Sequence, residues 1–331
     1  MADDPRQATR LTYRDHLVRL LGRDHRVVCV DTDTGLFNGV DFGAAAARYV
    51  NVGIAEHHAM GVAAGLAAGG FVPFVNTFAT FAAMRAVEAV KIDIAYNALP
   101  VRIAATHSGL SAGHFGPTHH ALEDLAVMRC LPNMTVVVPA DAAGTEALLG
   151  QSIDLPGPLY LRLGRKPTPA LPPGVPPLRL GLVQTLRTGA DVLLAACGPH
   201  PVHAALGAAE LLAADGVDAG VLNVHTVKPL DVAGLRAHAA GRALVVAVEE
   251  HWRSGGLGGA VAEALTETDP VRVLRIGVDD TFASVVGDHA DLVRHYGITP
   301  AAIAGRVRSA LSIGPPTTEE EAHHGHRLSR M

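Results

Sequence analysis

The sequence predicts an α/β protein made of two doubly wound domains, and three observations carry that expectation. Short β-rich runs recur between helical segments in both halves, the pattern of crossover-connected parallel strands. A proline-rich stretch separates the halves. The 331 residues, 49% hydrophobic and 18% charged, supply enough apolar material for two cores.

In the first half, strands are expected at 27–30, 71–75, 101–106, 135–138 and 159–163. Helices fill the intervals at 55–68, 78–97 and 122–130, and another follows Asp141, a candidate N-cap after Pro139. The run 59–84 has no charged residue and is long enough on paper to span a bilayer. Gly69, Gly70, Pro73 and Asn76 punctuate it, so a buried helix, turn and strand explain it better.

Six of the sixteen residues in KPTPALPPGVPPLRLG are proline, which resists helix and sheet and reads as a semi-rigid connector. Beyond it, strands are expected at 192–196, 219–223, 244–248 and 271–276. Helices should follow Pro199, start near Gly256 and begin at 298–301, where Thr299 and Pro300 form an N-cap and first-turn pair. The expected organisation is a domain over 1–165, a linker over 166–185, a second domain over 186–312 and a mobile tail over 313–331.

Composition removes several function classes. A net charge of −5 with 27 Lys and Arg leaves no broad cationic face to neutralise phosphates, so nucleic-acid binding is not expected. Cys29, Cys130 and Cys197 lie far apart without CxxC spacing, which fits a reducing compartment. MADDPRQATR has no apolar segment, so neither a signal peptide nor an anchor is expected, and the cytoplasm is the expected location.

The standard motifs are missing as well. None of Lys91, Lys166 and Lys228 follows a glycine, so there is no P-loop. GGLGGAV has Val261 where a dinucleotide fingerprint needs its third small residue. HExxH does not occur, which leaves the 18 histidines without a zinc motif.

Four segments, 51–70, 72–86, 106–124 and 159–165, are chemically odd for pure structure. Glu56 is the only acid between Asp41 and Glu88 and opens an apolar, glycine-rich helix. An unpaired carboxylate is costly to bury there, although a helix-start acid complementing the dipole is a purely structural alternative. Phe78 and Phe81 lie one helical turn apart, which suits core packing or, beside Asn76 and Thr77 in a chain only 4% aromatic, a platform for a flat ligand. The stretch 107–120 holds four histidines after a strand, where open α/β sheets place their sites.

GIAEHH, TFATF, GPTHHALED, VKPLD and EEHWRSGGLGG together resemble the thiamine diphosphate-dependent transketolases, and among them the C-terminal subunit of the split type. The resemblance runs from about Val27 to Leu311. It implies a pyrimidine-binding domain followed by a transketolase C-terminal domain, and transfer of a two-carbon ketol unit from a ketose to an aldehyde.

By that resemblance, Glu56 matches the glutamate that bonds N1′ of the cofactor's aminopyrimidine and thereby helps its 4′ nitrogen take the thiazolium proton. Phe81 matches the ring that stacks on the pyrimidine, and Phe78 lines the same pocket. His107 and His119 match histidines that bond sugar hydroxyls and assist proton transfer. Arg162 matches an arginine that grips a terminal phosphate, with Arg165 nearby.

The departures carry information too. Phe115 stands where such transketolases have an aspartate that reads the substrate's C2 hydroxyl, which implies a less hydroxylated or otherwise unusual aldehyde. Ser108 and Met84 replace an aspartate and a tyrosine. No GDG motif for a metal-bound diphosphate occurs. The resemblance therefore implies a partner subunit that holds the diphosphate through Mg2+ or Ca2+, in an α2β2 assembly. Rival readings are a deoxyxylulose phosphate synthase-like enzyme, an α-keto acid dehydrogenase β-subunit, or a catalytically silent partner subunit that only completes or regulates a dimer. His57, His58, His114 and His120 receive no role.

Overall fold

A computed structural model of the protein describes residues 7–267 and 270–312. The expected mobile tail, 313–331, lies outside the described residues.

The first half begins with α1 (Thr9–Leu21), β1 (Val27–Asp31), β2 (Tyr49–Asn51), α2 (Glu56–Ala68) and β3 (Val72–Phe78). It continues through α3 (Ala79–Met84), α4 (Val87–Ala89), β4 (Arg102–Thr106), α5 (Asp124–Cys130), β5 (Thr135–Val137), α6 (Ala142–Ser152) and β6 (Leu159–Arg162). The second half holds β7 (Gln184–Arg187), β8 (Val192–Ala196), α7 (Pro199–Ala214), β9 (Ala219–Asn223), β10 (Thr226–Lys228) and α8 (Val232–Ala239). Then follow β11 (Leu244–Trp252), α9 (Leu257–Thr266), β12 (Val273–Val278), α10 (His289–His295) and α11 (Pro300–Leu311).

Two sheets result, as the alternation predicts. One has the order β10-β5-β6-β4-β3-β1-β2 and the other β12-β11-β8-β9-β7. All pairings are parallel except those of β10 with β5 and β7 with β9. Fully buried runs such as VVCVD in β1 and VLLAA in β8 are what strands covered on both faces require. β10 belongs to the second half in sequence but completes the first sheet, so the two halves interlock. Three residues are too few to show this by periodicity.

The caps read from sequence are present. Asp141 accepts from Gly144 N at 2.7 Å to start α6, and Thr299 accepts from Ala302 N at 3.3 Å to start α11. The uncharged run resolves into α2, a turn with Gly70 at φ 89°, and β3. No helix among the described residues is long and apolar enough to cross a membrane.

One element differs from expectation. The helix predicted over 78–97 is broken into α3, α4 and a π-helical turn at Val90–Ala95, and Phe78 is the last residue of β3. Strand pairing continues through Phe78 opposite Thr106, so the ladder outcompetes helix propensity there.

Small side chains set the packing of α2. Ala59, Ala63 and Ala67 with Met60 face the sheet, and this core runs on through Leu125 and Met128 to Leu193, Val245 and Leu257 of the second half. Burying a leucine or methionine in this way stabilises by about 1.5–3 kcal/mol each. A shared core fixes how the halves meet, and with them the loops at the strand ends.

The glycine-rich GGLGGAV segment also finds its explanation. The Glu249 carboxylate accepts from Leu257 N at 2.6 Å and Gly258 N at 2.8 Å, so it occupies the α9 N-terminus that a phosphate would need.

Candidate active site

A cavity of about 250 Å3 opens at the C-terminal ends of β1 and β3, where an open α/β sheet leaves a crevice. Glu56, Phe78, Phe81 and His119 line it, together with Thr77 and Arg85.

Glu56 is the first residue of α2 and is 4% exposed. Its position at the positive end of a helix is worth about 0.3–1 kcal/mol. Sequence reading leaves this acid unpaired, but Arg85 Nη1 stands 3.4 Å from both carboxylate oxygens. The same guanidinium lies over Phe81, with Cζ 3.8 Å from the ring centroid. No sequence signal marks Arg85, because contact with Glu56 depends on α3 ending one turn after Phe81.

The two phenylalanine rings stack, with centroids 5.8 Å apart and an interplanar angle of 13°. They reach this arrangement from a strand end and a helix start rather than from one helix. His107 lies 4.0 Å from Phe78, His119 5.2 Å from Phe81, and Phe115 5.2 Å from His119, which makes one continuous aromatic wall.

His107 has φ 57° and is buried, with Nδ1 3.0 Å from Thr106 Oγ1. Burial, aided by Arg10, Arg165 and His119, pushes its pKa down to about 3. The ring is therefore neutral near pH 7. Burial, Arg85 and His120 also lower the pKa of His119, whose Nδ1 lies 2.9 Å from Thr118 Oγ1. Thr77 lines the cavity, and its Oγ1 is buried without a hydrogen-bond partner. The side-chain nitrogen of its neighbour Asn76 is spent internally, donating to Asp31 at 2.5 Å and Thr34 at 2.6 Å.

Arg162 is not available to a substrate phosphate in the way the resemblance implies. It is 3% exposed and forms a bidentate pair with Asp124, Nε to Oδ2 at 2.7 Å and Nη2 to Oδ1 at 2.9 Å. Nη2 also donates to the Ala121 and Glu250 carbonyls. Strand alternation explains it: Tyr160 and Arg162 share one face of β6, and the Tyr160 hydroxyl meets the same Asp124 at 2.8 Å. Arg165 lies beyond the strand, with Cζ 5.2 Å from the half-exposed Phe115 ring and Nη1 donating to Ala112 O at 3.2 Å.

Other residues singled out in the sequence fall outside the cavity. Ser108 Oγ donates to Leu163 O at 3.0 Å, and Met84 is exposed. His57 stands 3.6 Å from Glu88 and His114 3.9 Å from Asp288, both at the surface, and His58 is likewise exposed. His120 is buried and spans the Gly113 and Ala283 carbonyls, each at 3.2 Å. Among the described residues no group of three or more His, Cys, Asp or Glu side chains is placed to hold a metal ion.

Both halves of the chain match known proteins. Residues 6–169 match the transketolase pyrimidine-binding domain and residues 181–303 the transketolase C-terminal domain. The chain is 39% identical to the 6-deoxy-6-sulfo-D-fructose transketolase subunit SqwH of Clostridium sp. (strain MSTE9), over 87% of this chain and 89% of that protein. It is 38% identical to an apulose-4-phosphate transketolase subunit of Phocaeicola vulgatus, over 88% of this chain and 93% of that protein. A solved split-gene transketolase, described as an inactive β4 tetramer, superposes with a TM-score of 0.82 at 41% identity, covering 93% of this chain and 99% of that one.

Proposed function

The chain belongs to the transketolase family, as a subunit of the split type, and from that premise we propose that it forms the pyrimidine side of a two-component active site. The complex moves a two-carbon ketol unit from a ketose, or ketose phosphate, to an aldehyde. The convergence of Glu56, Phe78, Phe81 and His119 on one cavity carries this reading.

The residues fit the aminopyrimidine of thiamine diphosphate. A flat ring needs a stacking face, which Phe81 offers beside Phe78. Its ring nitrogen needs a carboxylate, which Glu56 supplies from a buried helix start. Thr77, in the cavity wall, has a buried hydroxyl with no partner of its own. When bound, the cofactor supplies a nucleophilic thiazolium carbon.

This chain's own part is to bind and orient. Glu56 accepts a charge-assisted hydrogen bond from the pyrimidine N1′ and so holds a proton there. Neutral His107 and His119 exchange hydrogen bonds with sugar hydroxyls, and His119, the more exposed of the two, is the proton carrier. Arg165 faces a terminal anionic group of the substrate beside Phe115.

Mg2+ or Ca2+ and the cofactor's diphosphate are assigned to a partner subunit, in an α2β2 complex, as the family resemblance implies. That a relative 41% identical is described as an inactive β4 tetramer supports the need for a partner. The two named relatives are associated with different sugars, so the donor and acceptor are left open. Free cysteines at Cys29, Cys130 and Cys197 support a reducing cytoplasm.

Reconstitution with a partner subunit tests the proposal. This chain alone should show no ketol transfer, and the complex should show activity dependent on thiamine diphosphate. Glu56→Ala should lower kcat by about 10²–10⁴-fold, the usual scale of a lost acid or base contribution. Full activity of the chain alone, or of the variant complex, contradicts the reading.

A further inference from the structure

The segment that carries His107 and His119 is a loop pinched at its base. Gly109 N donates to Ala121 O at 3.1 Å and Ala121 N returns to Gly109 O at 2.9 Å. Both His107 and Gly109 have positive φ, 57° and 60°, so the chain turns sharply just before the neck. Such a path needs something to hold it.

The holder comes from the second domain. At the end of β11 the strand leaves its register with β12, and Glu249, Glu250 and His251 are all buried there. Glu249 turns toward α9. Glu250 turns the other way and accepts from Leu110 N at 2.6 Å, one residue inside the neck. A Cβ on Gly109 would collide with the Glu250 carboxyl group, so glycine is required both for φ and for this approach.

Glu250 is itself fixed. His289 Nε2, at the start of α10, lies 2.9 Å and 3.0 Å from its two oxygens. The Glu250 carbonyl accepts from Arg162 Nη2 at 3.0 Å, and Trp252 N donates to Leu122 O at 2.9 Å just past the loop. A buried carboxylate with a cationic partner and a backbone donor is held in one pose, since leaving the buried charge unpaired is strongly destabilising. Leu110 lies three residues beyond His107, and the same neck closes two residues beyond His119.

We infer that Glu250, braced by His289, is a positioning residue through which the second domain holds the histidine loop in the geometry that presents His107 and His119 to substrate. Its kinetic consequence rests on the transketolase reading, whereas its structural consequence does not.

Two measurements separate them. In the full-length chain, Glu250→Ala should speed amide hydrogen exchange across 108–121 by at least about tenfold, with the rest of the sheet protected as in the wild type. In the reconstituted complex the same variant should lose about 10- to 100-fold in kcat/KM, the scale of a misplaced catalytic group, mostly through KM for the sugar. Glu250→Gln keeps an oxygen for Leu110 N but no charge for His289, and should fall between the two in both measurements. Wild-type exchange in Glu250→Ala overturns the inference, as does fast exchange with unchanged kcat/KM. If Glu250→Ala does not fold, Glu250→Gln with wild-type exchange and kcat/KM overturns it. A wild-type complex without ketol transfer would sink the functional reading while the exchange result still judges the anchor.

Discussion

The guanidinium of Arg85 stands 3.8 Å from the centroid of Phe81, and from that position its Nη1 reaches Glu56. A planar cation thus makes the two contacts that the family resemblance assigns to the cofactor's aminopyrimidine, a stacking contact and a hydrogen bond to the carboxylate. Arg85 is half-exposed, so its ion pair and ring contact are each worth only about 0.5–1 kcal/mol and are easily surrendered.

Arg85 should therefore compete with the cofactor. Arg85→Met removes the charge while keeping much of the stem, and should tighten binding of thiamine diphosphate to the reconstituted complex by about fivefold, the equivalent of 1 kcal/mol. Titration followed by protein fluorescence measures it. Weaker binding in the variant would make Arg85 a ligand contact instead.

Arg162 and Arg165 should separate stability from binding. Arg162→Ala strands a fully buried Asp124 carboxylate, so unfolding by urea should show a loss of about 3–5 kcal/mol. Arg165→Ala should leave the urea midpoint near wild type and raise KM for phosphorylated substrates. Equal melts for the two variants would contradict the assignment.

Both the fold and the heart of the site were legible because they depend on short-range patterns. Alternation of β-rich and helical runs gave every strand but the edge strands β2, β7 and β10, and Asp141 and Thr299 gave their caps. Glu56 stood out as a lone acid in an apolar helix. What escaped was decided at long range. Arg162 and Asp124 are 38 residues apart in sequence, and Glu250 reaches Leu110 across 140. No local period encodes such pairings. The helix read across Phe78 failed for a related reason, since pairing with Thr106 is a tertiary choice.

Stability should fall as the solution is acidified from pH 7 toward pH 4. Burial holds the pKa of His107 at about 3 and that of His225 at about 4, against a usual 6.5. Between those values the unfolded chain binds more protons than the folded one, so unfolding free energy rises with pH and is lost on descent. The Glu250–His289 pair runs differently. The pKa of His289 is raised despite burial, so its contribution is complete below pH 6.5 and fades as pH climbs through the raised value. Burial alone would raise the Glu250 pKa, but the charge and hydrogen bond of His289 and the charges of His200 and Arg162 leave it lowered. Its contribution fades only below the usual 4.5. Urea melts across pH 4–8 should show a slope, below about pH 6, that His107→Asn reduces by roughly 1 kcal/mol per pH unit. An identical slope in that variant would exclude His107 as a source.

Phe115 should govern which aldehyde is accepted. Its ring lies 5.2 Å from His119 and 6.2 Å from His107, and it places apolar surface where a hydroxyl-reading acceptor is expected. An enzyme that lacks that acceptor gains little from a C2 hydroxyl and must desolvate it without return. The wild-type complex should therefore use 2-deoxy aldose phosphates about as well as their hydroxylated counterparts. Phe115→Asp should restore an acceptor and shift the kcat/KM ratio toward the hydroxylated series by about 10- to 100-fold. The ratio of the two kcat/KM values decides the matter, because a general loss of activity would leave it unchanged. A strong wild-type preference for the hydroxylated aldehyde would show that another group reads C2 and that Phe115 merely lines the mouth of the site.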